Sequence, residues 1–511
     1  MGRVAIDPPR VFSSARAAVV LIDELRDAWR AESRAHRVAL AGIVMIAAAL
    51  RLAHLDQPMR YDESVTFLYF ATLPWEQALS TYTYPNNHLF HTALVKGAAM
   101  IFGGQPWALR LPAFLAGVVI VPATYAVARA MYGGAAALLA AAIVGSSGAL
   151  TLYATNARGY SLVVLAFLLL MLIAIRIQRG APGGDWVAFG CIAALGLWTI
   201  PVMLFPLGAV SLWLALWASL SGRTAELRNL GTALLIACAL ALLAYAPVIS
   251  NEGLAAVVRN RFVAPQSWVA FFDQLPVTLR DALRSWGLGF PLPVSVVLLG
   301  GAFATLAQHR KATLLPVNFW VAAFAWCAWV LVVTHRAPFP RVWLWILPVA
   351  AGLAGAGMLI LARRWRRTAV LVERAPMLAG IIAIGLAITV VQSRAVRTSR
   401  DTGTFNDAEL AARTLRGVVA PGDRILAAIP TNAPLAYYLD LWGVNPAALT
   451  LPEESARRIF AVVDFEEGQT LASVTATSLA RDARIFVADS APVRMPTSAI
   501  VTFRRRDAAQ K

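Results

Sequence analysis

The sequence predicts a polytopic α-helical membrane protein that ends in a small extracytoplasmic α/β domain. Three observations carry that prediction. Of 511 residues, 59% are hydrophobic and only 14% charged, too little charge to cover a soluble protein of this length. Apolar runs recur at lengths near the roughly 20 residues that cross a bilayer. Residues 393–511 then change character, becoming polar and charged with short strand-like runs.

Residues 1–37 form a cytoplasmic N-terminal segment with no signal-peptide apolar core ahead of a cleavage site. Within it, Val19, Val20, Leu21, Ile22, Leu25 and Trp29 are interleaved with Asp23, Glu24, Arg26 and Arg30. That pattern predicts an amphipathic helix over 17–29 on the inner membrane face. The first span, about 38–55, follows Arg26, Arg30, Arg34 and Arg37 and therefore runs outward. Residues 56–108 become an outer loop. The short apolar run 87–103 contains Lys96. If it spanned, the loops with Arg176/Arg179, Arg223/Arg228, His309-Arg310-Lys311 and Arg363–Arg367 would all fall outside, against the positive-inside rule. It is therefore expected as a surface helix.

Ten further spans follow at about 110–130, 135–153, 160–177, 186–200, 201–220, 230–248, 288–307, 315–334, 342–361 and 376–392. With the first they make about eleven crossings over 38–392, with the N-terminus inside and the C-terminus outside. Residues 249–287 form a second outer loop. In 393–511, apolar runs at 424–429, 458–465, 484–488 and 499–503 predict strands, and 407–418 predicts a helix. The net charge of +17 sits largely in short loops, so topology accounts for it and no nucleic-acid partner is expected. Cys191, Cys238 and Cys327 fall inside apolar runs with no CxxC spacing, which speaks against a disulfide framework or a zinc site.

The topology gathers unusual polar groups on one side of the membrane. Asp62 and Glu63 lie in "RYDES" of the first outer loop, and "YPNNHLFH" (84–91) lies in the same loop. "YATNARGY" (153–160) and "THRAPFPR" (334–341) join spans on that side. A charged side chain at bilayer depth costs about 2.5–3.5 kcal/mol, so such residues near helix ends face water or a cavity. A carboxylate can take a proton from a hydroxyl, and an arginine can grip a phosphate bidentately. Neighbouring residues on a helix point about 100° apart, so Asp62 and Glu63 are expected to do different jobs. Arg110 reads as structural glue paired with an outer-loop acid. His54, His88, His91 and His335 also fall outside; polar surface histidines are the simpler interpretation, with Glu63 and His88 kept as candidates for a divalent metal.

These motifs resemble the GT-C glycosyltransferases. "YDES", "YPNNHLFHTALVKGAAMIFGGQPWALRLPAFLAG", "YATNARGYSL" and "PFPRVWLWILP" are most similar to the branch of protein O-mannosyltransferases and lipid A aminoarabinose transferases (bacterial glycosyltransferase family 39-like). The resemblance covers about 38–392. It implies a GT-C-like catalytic domain in the cytoplasmic (inner) membrane and inverting transfer of a sugar on the outer face. The implied partners are a polyprenyl-phosphate sugar donor, a lipid, glycan or protein acceptor, and the surrounding membrane lipids. Asp62 matches the expected general base and Glu63 the adjoining acid. Arg158 and Arg341, with Tyr160, match donor-phosphate positions. Tyr61, Asn86, Asn87 and His88 are candidate substrate contacts; Asn86-Asn87-His88 stands where related bacterial members often carry Pro-Pro. No cofactor is required by the resemblance, and a divalent metal is left open.

Two rivals come from other classes. A flippase or transporter for lipid-linked sugars is expected to carry ionisable residues near the midplane and repeated halves. Here the spans are mostly bare of charge and no internal repeat is visible. A non-catalytic envelope assembly protein, docking through the C-terminal domain, leaves Asp62 and Arg158 without a purpose.

Overall fold

The computed structural model describes residues 30, 32–180, 184–259, 262–308, 313, 315–363 and 373–506. The amphipathic helix expected over 17–29 and the basic runs 309–311 and 364–367 lie outside the described residues.

Among the described residues, six helices are long and apolar enough to cross a membrane: Arg34–Leu52, Pro106–Tyr132, Tyr160–Gln178, Pro201–Leu220, Thr224–Glu252 and Ala375–Ser393. Gly184–Thr199, Leu292–Ala307, Phe319–Thr334 and Ile346–Ala362 are apolar but shorter. All but one of the expected spans fall on these helices. The exception, 135–153, is bent: two helices, Gly134–Gly145 and Gly148–Ala154, which together are long and apolar enough for a span, meet at 59°. The cause is local. Ser146 Oγ donates to the Ala383 carbonyl (2.8 Å), and Ser147 Oγ accepts the Leu150 N–H (3.3 Å), capping the second helix. A Cβ at Gly148 would meet the Leu288 carbonyl oxygen at 2.2 Å, so only glycine lets the two backbones approach there. The expected surface run 87–103 is a helix, Leu89–Phe102. The second outer loop contains a 19-residue helix, Trp268–Trp286, whose Asp273, Arg280, Asp281 and Arg284 set it apart from a span.

The chain divides into two compact units. One comprises 1–50, 116–150 and 160–393, and the other 51–115, 151–159 and 394–511. The first outer loop thus belongs with the C-terminal residues, where the sequence drew its boundary at 393. Hydrogen bonds explain the grouping. The Tyr61 and Asp62 N–H groups donate to the Gly403 and Thr402 carbonyls (3.2 and 3.1 Å). The buried Arg60 guanidinium donates to the carbonyls of Val396 (2.6 Å), Ser399 (2.6 Å) and Asp401 (3.2 Å). Met59, Val95, Leu109 and Ala157 share a core with Phe405, Leu435, Tyr438 and Phe460.

That second unit carries a five-stranded sheet: β1 (Arg424–Ala427), β2 (Arg458–Asp464), β3 (Phe486–Ala488), β4 (Val493–Arg494) and β5 (Ser498–Arg505). The order is β1-β2-β5-β3, with β4 paired to β5. β1 and β2 run parallel, joined by a crossover that includes the helix Asn432–Leu441, and the remaining pairs are antiparallel. Each of the four expected runs contains a strand; β4, two residues long, is too short for alternation to show. Along β2, Phe460 and Val462 face one core while Ile459, Ala461 and Val463 face another, the period of two that a buried strand imposes.

Asp464 ends β2 in a buried position, accepting the Glu466 N–H at 3.0 Å. Burial raises its carboxyl pKa to about 6. A carboxyl raised above its unfolded value binds its proton more tightly when folded. Stability is therefore greatest below the ordinary carboxylate range and falls as pH rises toward 6. Asp464→Asn is expected to remove that loss, stabilising the unit at pH 7 by on the order of 2 kcal/mol. Thermal unfolding midpoints at pH 7 and pH 4 check this: the variant's advantage at pH 7 should vanish at pH 4.

Candidate active site

Asp62 and Glu63 occupy the first turn of the six-residue helix Tyr61–Thr66, where carboxylates interact favourably with the unpaired backbone N–H groups. Their surroundings differ, as their angular separation requires. Glu63 is fully buried. Its Oε1 accepts the Arg60 N–H (2.9 Å) and Arg110 Nη2. Its Oε2 accepts Arg110 Nε (3.0 Å) and the Ala157 N–H (2.7 Å). Arg110, equally buried, also donates to the carbonyls of Leu55 (2.8 Å), Gln57 (2.6 Å) and Pro58 (3.0 Å). This is the structural glue expected of Arg110, and it ties the turn before the helix, the helix itself and the 155–159 turn together.

Asp62 is the more open acid. Its Oδ1 accepts Asn86 Nδ2 (3.2 Å), and its Oδ2 lies 3.6 Å from Arg158 Nη1. The 155–159 turn that carries Arg158 is held from several sides. Gln57 Nε2 donates to the Thr155 carbonyl (3.2 Å), and Asn156 Nδ2 to Thr402 Oγ1 (3.1 Å). His88 sits against the same turn. Its Nδ1 accepts the Gly159 N–H (2.9 Å), and its Nε2 lies 3.3 Å from Arg158 Nη2. A backbone N–H can only donate, so neutral His88 carries its hydrogen on Nε2. Two donors, Nε2–H and the guanidinium, therefore face each other, an arrangement suited to an anionic oxygen.

The remaining candidates separate. Asn87 is buried; its Nδ2 donates to the Ala78 (3.0 Å) and Thr81 (2.7 Å) carbonyls and its Oδ1 accepts Thr92 Oγ1 (2.7 Å). It staples the loop. Tyr61 packs with Tyr84 against Val65, Phe70 and Ala433, and its phenol pKa is raised by burial and then by the Asp62 charge. Arg60, the first residue of "RYDES", is engaged by backbone carbonyls; burial lowers its pKa to about 10. Arg341 and Tyr160 lie together in the other unit, with Arg341 Nε donating to the Tyr160 hydroxyl at 3.1 Å. The metal candidates Glu63 and His88 do not fit that role. Glu63 already receives four donors, and His88 accepts an amide at one nitrogen while the other faces a guanidinium. Among the described residues, no group of three His, Cys, Asp or Glu side chains could share an ion. His91, one turn from His88, is fully buried, which pushes its imidazole down to about 3 with help from the Arg158 charge.

Sequence reasoning missed the 399–403 segment, Asn156 and Gln57, which hold the acid's helix and the Arg158 turn. They act through backbone carbonyls and amides, which leave no pattern in sequence.

A model of the dolichyl-phosphate-mannose-protein mannosyltransferase family matches residues 87–250. Crystal structures of ArnT from Cupriavidus metallidurans match nearly the whole chain. The undecaprenyl-phosphate-bound form gives a TM-score of 0.59 at 14% identity, covering 90% of this chain and 97% of that one. The chain has an ArnT-like fold. The apo form of the same ArnT gives 0.59 at 13% identity, covering 96% of this chain and 98% of its own. The oligosaccharyltransferase AglB from Archaeoglobus fulgidus, solved with an inhibitory peptide and a dolichol-phosphate, gives 0.46 at 12% identity over 85% of this chain and 70% of that one. Comparison with curated protein sequences gave no match. The GT-C resemblance seen in the motifs is thus upheld at the level of fold.

Proposed function

We propose that this chain is a membrane glycosyltransferase. It moves a sugar from a polyprenyl-phosphate-linked donor to an acceptor hydroxyl on the outer face of the cytoplasmic membrane, with inversion. The observation that carries the proposal is the placement of Asp62 against Arg158 and His88. One carboxylate and one anion-receptive pair adjoin, each held by its own loop. The undecaprenyl phosphate bound to the structurally similar ArnT supports a polyprenyl-phosphate donor; the basic loops of the sequence support the topology, with the N-terminus inside and the C-terminal domain outside.

Asp62 takes the proton from the acceptor hydroxyl, and that oxygen attacks the anomeric carbon. The bond from that carbon to the phosphate oxygen breaks, and the electron pair leaves with the polyprenyl phosphate. Arg158 and His88 Nε2–H stabilise the charge on the departing phosphate. One direct displacement inverts the anomeric centre, as in inverting glycosidases. A neutralised phosphate leaves readily, so no dedicated acid is needed. Asn86 orients Asp62, and Glu63 acts as a positioning residue through Arg110 and Ala157. Arg341 and Tyr160, hydrogen-bonded to each other, are further donor-phosphate residues in this proposal. Tyr61 is a substrate contact beside Asp62.

Mass spectrometry of lipids and glycans from a deletion strain and its complement tests the proposal. A glycosyl residue mass present on an envelope molecule of the complement and absent from the deletion is expected. Identical profiles with the gene expressed and a polyprenyl-phosphate sugar present would count against it.

A further inference from the structure

A second basic site borders this machinery, sharing Gln57 and Arg60 with its supports but none of Asp62, His88 or Arg158. A cavity of about 520 Å³ is lined by ten residues, among them Gln57, Arg60, Arg394, Arg397, Thr398 and Asn406. None of the ten is Asp or Glu, and three are Arg. Its size falls within the range of small-ligand pockets, about 300–1,000 Å³. Glu466 and Glu467, which bond Asn406 (2.6 Å) and Thr404 (2.8 Å), are not among the lining residues.

The three arginines differ. Arg60 is fixed by the carbonyls of Val396, Ser399 and Asp401 and contributes charge at the cavity wall. Arg394 and Arg397 are exposed, and neither guanidinium has an ion-pair or hydrogen-bond partner among the described residues. Arg394 precedes the short helical turn Ala395–Thr398 as its N-cap, in a left-handed backbone conformation, and Arg397 lies within the turn; both line the cavity. Two guanidinium groups in the lining of one cavity, with no carboxylate among its lining residues, suit the several oxygens of one phosphate. A cavity walled by a single sign of charge also concentrates anions. Arg394 directly follows the apolar helix Ala375–Ser393, so the pair stands at the residue where the chain leaves an expected span. That is the depth of lipid headgroups.

We propose that this cavity is a phosphate-binding site, gripped by Arg394 and Arg397, for the headgroup of a membrane-anchored phosphate ester. It is separate from the Asp62–Arg158 site and does not depend on the proposed transferase activity. Its test is binding. Full-length protein in detergent is titrated with dihexanoyl phosphatidate, dihexanoyl phosphatidylcholine and inorganic phosphate.

Saturable phosphatidate binding is expected, at least tenfold weaker in the double variant Arg394→Gln/Arg397→Gln. Arg394→Lys/Arg397→Lys, which keeps the charge, should retain most of it, and Arg158→Gln should bind as wild type does. If inorganic phosphate binds equally well with the same dependence on the arginine pair, the phosphate chemistry stands and its source is free phosphate. Wild-type affinity in the folded Gln double variant overturns the site. So does equal binding of phosphatidylcholine, or a matching loss in Arg158→Gln, which would move the ligand to the Asp62 site.

Discussion

Asp62→Asn is expected to lower sugar transfer by about 10²–10⁴-fold, the usual contribution of a positioned general base, while leaving the protein folded. The amide is nearly isosteric and can still accept a hydrogen bond from Asn86 through its oxygen. What it cannot do is take a proton. The Asp62 side chain is 13% exposed against 0% for Glu63 and stands 3.6 Å from Arg158, so its loss of charge costs less stability than the loss at Glu63. The 3.6 Å separation from Arg158 points the same way: the pair is an ion pair without a tight hydrogen bond, and a phosphate oxygen can compete for the guanidinium. The check is a rate measured with saturating donor, alongside a thermal midpoint close to wild type. A large fall in both would reassign Asp62 to structure.

Glu63→Gln is expected to do the reverse, costing about 3–5 kcal/mol of stability, because it leaves the buried Arg110 without its counter-charge. Glu63 receives four donors, two from Arg110 and two from backbone N–H groups. A glutamine offers one oxygen, and its NH₂ would face at least one of those donors. Replacing both partners, Glu63→Gln with Arg110→Met, should recover part of the loss, since the unpaired charge is then gone. Thermal unfolding of the single and double variants measures this. An additive double variant would show that the pair does not couple.

These two neighbours show how far the sequence could be read. Repeated apolar runs and loop charge made the membrane class and the helix positions legible, because span length and the positive-inside rule act locally along the chain. Asp62 was visible as an acid out of place, and Arg158 as an arginine at the end of an apolar run on the same side. The division of labour between Asp62 and Glu63 was only half legible. Helical geometry separates their directions, but which of them meets Arg110 is decided by packing 47 residues away. Asn87 looked like a ligand because nothing in the sequence shows that the Ala78 and Thr81 carbonyls engage its side-chain nitrogen. The bend at Ser146-Ser147 had a local signal in Gly145-Ser146-Ser147-Gly148, while the contacts that hold it, with Ala383 and Leu288, lie far along the chain. The regrouping of the first loop with residues 394–511 likewise depends on pairings such as Asp62 with Thr402, more than 300 residues apart.

The most direct test of the central claim is release of free polyprenyl phosphate from a polyprenyl-phosphate sugar in proteoliposomes. Wild-type protein supplied with an envelope extract as acceptor should release polyprenyl phosphate in step with sugar incorporation, and folded Asp62→Asn protein should release almost none. Transport of the intact donor without release, or release by Asp62→Asn at the wild-type rate, would contradict it.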